Sequence, residues 1–421
     1  MIGGSTCGTP LPRWPHESGC GRLMRVAVAS WTSRYAGGIE SYLGAVMPAM
    51  RHAGLDVSFF HEADEPAQRA TIDLADGVPV FSVASSGVEG AVGQLAKWKP
   101  DVVYIHGLHD VSTANRLLDV APSVTFVHTY IGTCISGTKT HMSPRPIACS
   151  RRFGPACLAL YLPRGCGGSN PVTMVQLYRS HRQRQQTLVK QAAVITHSDH
   201  MKDELARHGI SASVVSYPIS MRAADPDAPS DVANDILFAG RMDRVKGGAM
   251  LLDALPQIAR ELTRPLRVQF SGDGPDRSLW ERLAAGIQAR AAEISIRFPG
   301  WSDETQLSWQ MKTSRLLVVP SLWPEPFGSV GMAAARCGVP AAAFGVGGIP
   351  QWLHDGVNGH LAPATPPTAV GLADAVVRCL RDPEHYEQLS RGAREMAARF
   401  TMERHLPDLM NVFERVVHGR S

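Results

Sequence analysis

The stretch VVPSLWPEPFGSVGMAAARCGVPAAAFGVGGIP, from Val318 to Pro350, holds two strand-to-helix passages in succession. An apolar strand ends at Pro320, Glu325 follows in a proline-flanked turn, and Phe327, Gly328 and Ser329 open an alanine-rich helix. A second strand, VPAAAF (339 to 344), then runs into Gly345, Gly347 and Gly348. This alternation of strand, turn and helix is that of a parallel sheet. The first turn also offers chemistry, because a carboxylate and several unpaired backbone N–H groups at one point suit a polyhydroxyl ring and its phosphate. A purely structural turn would use the glycines but has no need of Glu325.

The same rhythm extends toward the N-terminus. ILFAG (236 to 240), LRVQFSGDG (266 to 274), ISIRFPG (294 to 300) and RLLVVPS (315 to 321) are apolar runs separated by helix-like stretches. A first series comprises MRVAVAS (24 to 30), DVSFFH (56 to 61), VPVFSV (78 to 83), DVVYIH (101 to 106), SVTFVH (123 to 128) and AAVITHS (192 to 198). Between the two series, Tyr217 to Asp235 is rich in Pro, Asp, Ala and Ser, as a linker is. The expected architecture is α/β, with two doubly wound domains whose strand carboxyl edges face each other across a cleft. The expected boundaries are a flexible extension at 1–23, a first domain at 24–217, a linker at 218–234 and a second domain at 235–421, its last helix packing back on the first. Gly132 to Pro171 breaks the rhythm and reads as a long functional loop.

At 421 residues, 44% hydrophobic and 19% charged, the chain has enough apolar residues for two cores. A formal net charge of +4 on 42 basic and 38 acidic residues argues against nucleic acid as a partner. No run of apolar residues is long enough for a transmembrane helix, and residues 1–23 lack the apolar core of a secretion signal, so a cytoplasmic protein is expected. Thiols rather than disulfides follow for its cysteines. Cys134, Cys149, Cys157 and Cys166 share one Gly- and Pro-rich segment, but without C-x2-C pairs they are read as unligated.

Two further sites carry charge or open backbone. FAGRMDRVKGG puts Arg241 and Lys246 beyond a strand end at a helix start, where two cations can neutralise a diphosphate or simply be solvated. Gly37 and Gly38 sit between the first strand and an amphipathic helix, either as a tight turn or as an anion contact. Neither a G-x-G-x-x-G fingerprint nor a phosphate-binding P-loop motif occurs.

Together, GRMDRVKG, SGDGP, PSLWPEPFG and FGVGGIP resemble the large retaining GT-B glycosyltransferase family that includes sucrose synthases and bacterial lipopolysaccharide and phosphatidylinositol mannosyltransferases. The resemblance implies an acceptor-side first domain and a second domain holding a nucleotide diphosphate sugar, with two Rossmann-like folds. It implies that Arg241 and Lys246 bind the donor diphosphate, Glu325 the sugar hydroxyls, and the amides of Phe327, Gly328, Ser329 and Val330 the sugar and phosphate. Gly37 and Gly38 would contact the diphosphate, and His128 would lie near the reacting sugar as a catalytic residue with Glu325. The implied reaction transfers a hexosyl unit to a saccharide or lipid-linked acceptor with retention, without a metal and with no cofactor beyond the donor substrate. Two positions depart from the family pattern. Ala333 stands where a second Glu usually grips the ribose, and Gln351 stands where GGIPE has an acid. Ala333 motivates a rival reading as a non-catalytic binding or scaffold homologue, and a nucleotide-sugar epimerase of the same architecture is a further alternative. Asp225-Pro226-Asp227 formally matches a metal-binding D-x-D but lies in the linker. The helix from Val175 to Gln191 carries Arg179, Arg182, Arg184 and Lys190 without an acid, either a solvated face or a patch for anionic lipid at the inner membrane face or a phosphorylated acceptor.

Overall fold

A computed structural model of the protein describes residues 22–219 and 234–419. Most of the expected extension at 1–23 and of the linker at 218–234, and all of Asp225-Pro226-Asp227, lie outside the described residues. The chain packs into two compact units, one formed by 22–128, 187–195 and 402–419, the other by 129–186, 196–219 and 234–401.

In the first unit six strands run parallel in the order Val80–Ser82, Asp56–Ala63, Arg25–Thr32, Val102–His106, Ser123–Phe126, Ala193–Thr196. Val26, Ala27, Val28 and Ala29 are all 0% exposed, so the central strand is covered on both faces and does not alternate with polar residues. Helix Gly38–His52 lays Tyr42, Leu43, Val46, Met47 and Met50 on the sheet at helical spacing. Each such side chain contributes about 1.5–3 kcal/mol on burial. The C-terminal helix Met402–Val417 belongs to this unit, and His405 Nε2 lies 2.8 Å from Tyr42 Oη.

In the second unit six parallel strands follow the order Ile294–Gly300, Leu266–Ser271, Asn234–Ala239, Ser314–Val319, Ala341–Phe344, Gly359–Ala362. Helices Gly248–Leu262 and Ala369–Leu380 pack on each other, and the latter also covers Ser314–Val319, Ala341–Phe344 and Gly359–Ala362. The segment expected as one long loop contains an antiparallel hairpin, Thr140–His141 with Ile147–Ala148, and the short helix Ala156–Tyr161. A small apolar cluster of Ile135, Phe153 and Tyr161 holds it. The buried Lys139 ammonium is paired with the Glu204 carboxylate.

The grouping differs from the expected first domain of 24–217, because 129–186 and 196–219 pack with the second unit. Tyr130 and Ser198 donate hydrogen bonds to the turn around Glu325, and His197 and Tyr217 pack against Phe327 in it.

Candidate functional site

Each unit has the strand order 3-2-1-4-5-6, and such sheets bind ligands beyond the strand carboxyl ends where the order reverses. In the second unit the reversal lies between Asn234–Ala239 and Ser314–Val319. The loops leaving these two strands carry Arg241 to Lys246 and Ser321 to Glu325, so the fold itself brings the two motifs together.

Glu325 is buried, and its Oε1 accepts from Ser321 Oγ at 2.5 Å and from Lys246 Nζ at 2.7 Å. Lys246 Nζ also lies 5.1 Å from the centre of the Trp323 ring. Asp243 caps the 3-10 turn Arg244–Lys246 by accepting from Lys246 N at 3.2 Å, and burial pushes its carboxyl pKa up. Arg241 extends into solvent with its side chain 71% exposed, and its Nε is 3.5 Å from Asp243 Oδ2. The carboxylate and the ammonium expected to share a ligand are therefore in contact, while the guanidinium is exposed to solvent.

The two loops interlock through backbone that tolerates no side chain. Gly247 has φ 71°, and a Cβ there would lie 1.8 Å from Pro320 O, while Leu322 N donates to Val245 O at 2.8 Å. Gly347, at φ 59°, nests against the turn so closely that a Cβ would lie 2.2 Å from Glu325 O. Helix Ser329–Arg336 starts from Gly328 at φ 83° and has no acidic residue in its first turn. The amides of Ser329 and Val330 have no intrahelical acceptor, and the helix dipole places positive potential there. Phe327 is an anchor: its buried ring packs 5.5 Å from His197, 5.8 Å from Tyr217 and 5.4 Å from Phe400. Ala333, 8% exposed on the same helix, offers only a methyl group. Gln351 Oε1 accepts from Asp199 N at 2.8 Å and its Nε2 approaches His197 O at 3.5 Å, a pairing of donor and acceptor that an acid cannot make.

In the first unit Gly37 precedes helix Gly38–His52 with an extended φ of −178°, and a Cβ there would meet only Glu40 Oε2 at 3.7 Å. Neither conformation nor crowding demands glycine at 37. Glu40 accepts from Trp31 Nε1 at 2.9 Å, and burial pushes its carboxyl pKa up. His128 is half-buried just after Ser123–Phe126, with Nε2 2.9 Å from His106 Nδ1. Burial pushes the His106 imidazole down to about 3, so it is neutral at ordinary pH.

Cys134, Cys149, Cys157 and Cys166 are free thiols. Burial raises the thiol pKa of Cys149, and that of Cys166 to about 11, so neither is an activated thiolate. Among the described residues no group of three or more His, Cys, Asp or Glu side chains is placed to hold a metal ion.

Ser321, Trp323, Tyr130 and Trp352 went unread in the sequence. Ser321 and Trp323 lie inside the PSLWPEPFG motif, where their proximity to Glu325 was a usable signal. Tyr130 and Trp352 lie outside it and have none.

Residues 225–396 match the family "Glycosyl transferases group 1". The chain is 28% identical over 392 residues to D-inositol 3-phosphate glycosyltransferase 2 of Catenulispora acidiphila, covering 87% of each chain. It is 25% identical to the glycogen synthase of Mycobacterium tuberculosis, covering 88% of this chain and 90% of that one. A further match, 32% identical, to D-inositol 3-phosphate glycosyltransferase of Jonesia denitrificans spans 43% of this chain and 42% of the relative. Among solved structures, sucrose-phosphate synthase from Thermosynechococcus elongatus superposes with a TM-score of 0.68 at 20% identity, covering 94% of this chain and 100% of that one. Anabaena HepE in complex with UDP and glucose gives 0.62 at 18% identity, over 94% and 99%. Residues 225–396 therefore carry a glycosyltransferase group 1 domain, and the two-sheet fold of the chain is that of the GT-B glycosyltransferases.

Proposed function

We propose that the chain transfers a hexosyl unit from a nucleotide diphosphate sugar to a saccharide or lipid-linked acceptor, with retention and without a metal. The observation that carries this reading is the convergence of Lys246, Ser321, Glu325 and the N-terminus of helix Ser329–Arg336 at the switch point of the second sheet. Glu325 accepts sugar hydroxyls, while Lys246, the exposed Arg241 and the amides from Phe327 to Val330 take the diphosphate. As the glycosidic bond to the donor breaks, charge builds on the departing diphosphate, and these cations and amides stabilise it without reorganising. Gly37 and Gly38 add a contact to the diphosphate, and His128 acts near the sugar, held in a fixed orientation by neutral His106.

A peripheral contact with an anionic membrane surface fits a lipid-linked acceptor. Residues 120–198 contain nine Lys and Arg and no Asp or Glu, and Arg145, Arg151, Arg152, Arg164, Arg179 and Arg182 are exposed, as are Leu162 and Val172.

The test is turnover of UDP-, GDP- and ADP-hexoses with and without acceptor in chelator-treated buffer, with the anomeric configuration of the product read by proton NMR. Transfer with retention supports the proposal. Release of an epimerised free nucleotide sugar, or binding without turnover on any acceptor tried, overturns it in favour of an epimerase or a scaffold homologue.

A further inference from the structure

Four consecutive carbonyls of the turn that carries Glu325 are each held by a different donor. Tyr130 Oη donates to Pro324 O at 2.8 Å, Gly348 N to Glu325 O at 2.7 Å, Ser198 Oγ to Pro326 O at 2.5 Å and Trp352 Nε1 to Phe327 O at 2.6 Å. The three side-chain donors are buried, with Tyr130 and Ser198 0% and Trp352 1% exposed. In a trans peptide plane the C=O and the following N–H point in opposite directions. Fixing Pro324 O, Pro326 O and Phe327 O therefore fixes the N–H groups of Glu325, Phe327 and Gly328. Glu325 O belongs to a plane with no N–H, since Pro326 follows, and this is the one carbonyl left to a backbone donor. The three planes that can point an amide at a ligand are those aimed by side chains.

Tyr130 is itself oriented. Its hydroxyl proton goes to Pro324 O, so His200, whose Nε2 lies 2.6 Å away, donates to Tyr130 Oη. Burial lowers the pKa of His200 and keeps the ring neutral with its proton on Nε2. Ser198 also caps helix Asp199–Ala206 by accepting from Met201 N at 3.1 Å, so one hydroxyl joins a helix start to the turn.

We infer that Tyr130, Ser198 and Trp352 are positioning residues of the donor site, which set the direction of the amides of Phe327 and Gly328 toward the sugar and diphosphate while touching neither. The inference deepens the proposed function and rests on it. Tyr130→Phe and Ser198→Ala each remove one clamp and keep the packing, and Ser198→Thr restores a hydroxyl. Two measurements separate aiming from mere stability: hydrogen exchange at 327 and 328 in the ligand-free protein, and the ratio of affinities for UDP-glucose and for uridine, which carries neither the sugar nor a phosphate. Tyr130→Phe and Ser198→Ala should speed exchange there and weaken UDP-glucose about tenfold with uridine unchanged, and Ser198→Thr should recover both. Folded variants that leave the exchange rates and the affinity ratio at wild-type values overturn the inference. Should the wild-type protein bind no nucleotide sugar, the proposed function fails, and exchange alone still decides whether the side chains hold the amides. If Tyr130→Phe does not fold, the Ser198 pair carries the same decision.

Discussion

Lys246→Met should separate the stabilising from the ligand-binding part of the charged pair at the centre of the site. Methionine keeps most of the apolar stem over Trp323 and removes the ammonium, which lies 2.7 Å from Glu325 Oε1 and 5.1 Å from the Trp323 ring centre. An exposed ion pair is worth about 0–1 kcal/mol, and breaking a fully buried one costs about 3–5 kcal/mol. Here the lysine side chain is 27% exposed and the glutamate 6%, so the loss lies between these limits, and about 2 kcal/mol is expected. For a unit of this size that is a fall in Tm of about 5 °C. Replacing Glu325 as well, in Lys246→Met/Glu325→Gln, removes the uncompensated carboxylate and should return most of the stability. Affinity should behave differently. A charged contact to phosphate contributes about 1.5–3 kcal/mol, so both variants should bind nucleoside diphosphate and nucleotide sugar about 10- to 150-fold more weakly. Calorimetric titration and thermal unfolding measure the two quantities on the same sample. Unchanged diphosphate affinity in a folded Lys246→Met protein would refute the assignment of Lys246 to the phosphates.

Ala333→Glu places a carboxylate where the family pattern grips the ribose and should tighten nucleotide-sugar binding about tenfold, with some loss of ligand-free stability; a folded variant with no gain for any nucleotide sugar favours the scaffold reading. His106 stays neutral in the folded chain down to about 3, whereas the unfolded chain takes up its proton near 6.5, so stability is full above that value and falls as pH drops through it. The fall owed to His106 is about 2 kcal/mol between pH 7 and pH 5, and urea titrations of His106→Gln should show that much less acid sensitivity than the wild type; equal slopes would show that the ring is protonated in the fold. The purified protein should contain no stoichiometric zinc by elemental analysis, and zinc that is lost on replacing Cys134, Cys149, Cys157 or Cys166 would reverse that expectation. Vesicles rich in anionic lipid should sediment the protein and neutral ones should not, with Arg179→Glu/Arg182→Glu reducing the bound fraction several-fold; indifference to lipid charge would remove the membrane contact.

The short apolar runs between turn residues made both sheets legible, because a strand covered on two faces, such as Val26 to Ala29, is a brief unbroken apolar stretch with glycine- or proline-rich turns nearby. The convergence of Lys246 and Glu325 was implied by the family resemblance alone, and the strand order, which sets the two preceding strands side by side, supplies its physical reason. Ser321 was within reach of the sequence, a hydroxyl four residues before the carboxylate it serves. What sequence could not supply was contact between distant polar side chains. Tyr130 and Ser198 lie on segments that a linear reading assigned to the first domain, and their hydrogen bonds to Pro324 and Pro326 are among the contacts that reveal their allegiance. Gln351 shows the same limit from the other side. Read along the chain it is a deviation from an acidic pattern; in the fold its amide meets one N–H and one C=O, and nothing in the local sequence announces either.

The clamped turn bears on how this surface can change over evolutionary time. A phosphate gripped by main-chain amides is indifferent to what hangs from them, so the side chains of Ser329 and Val330 are open to substitution with little consequence for the grip. If the amides of this turn hold the diphosphate as proposed, the heritable information for that grip resides instead in Tyr130, Ser198, Gly347 and Trp352, dispersed over more than two hundred positions. On the proposed reading, descendants of this chain can drift at the residues nearest the ligand and keep its phosphate contact, while single replacements far away in sequence weaken it about tenfold.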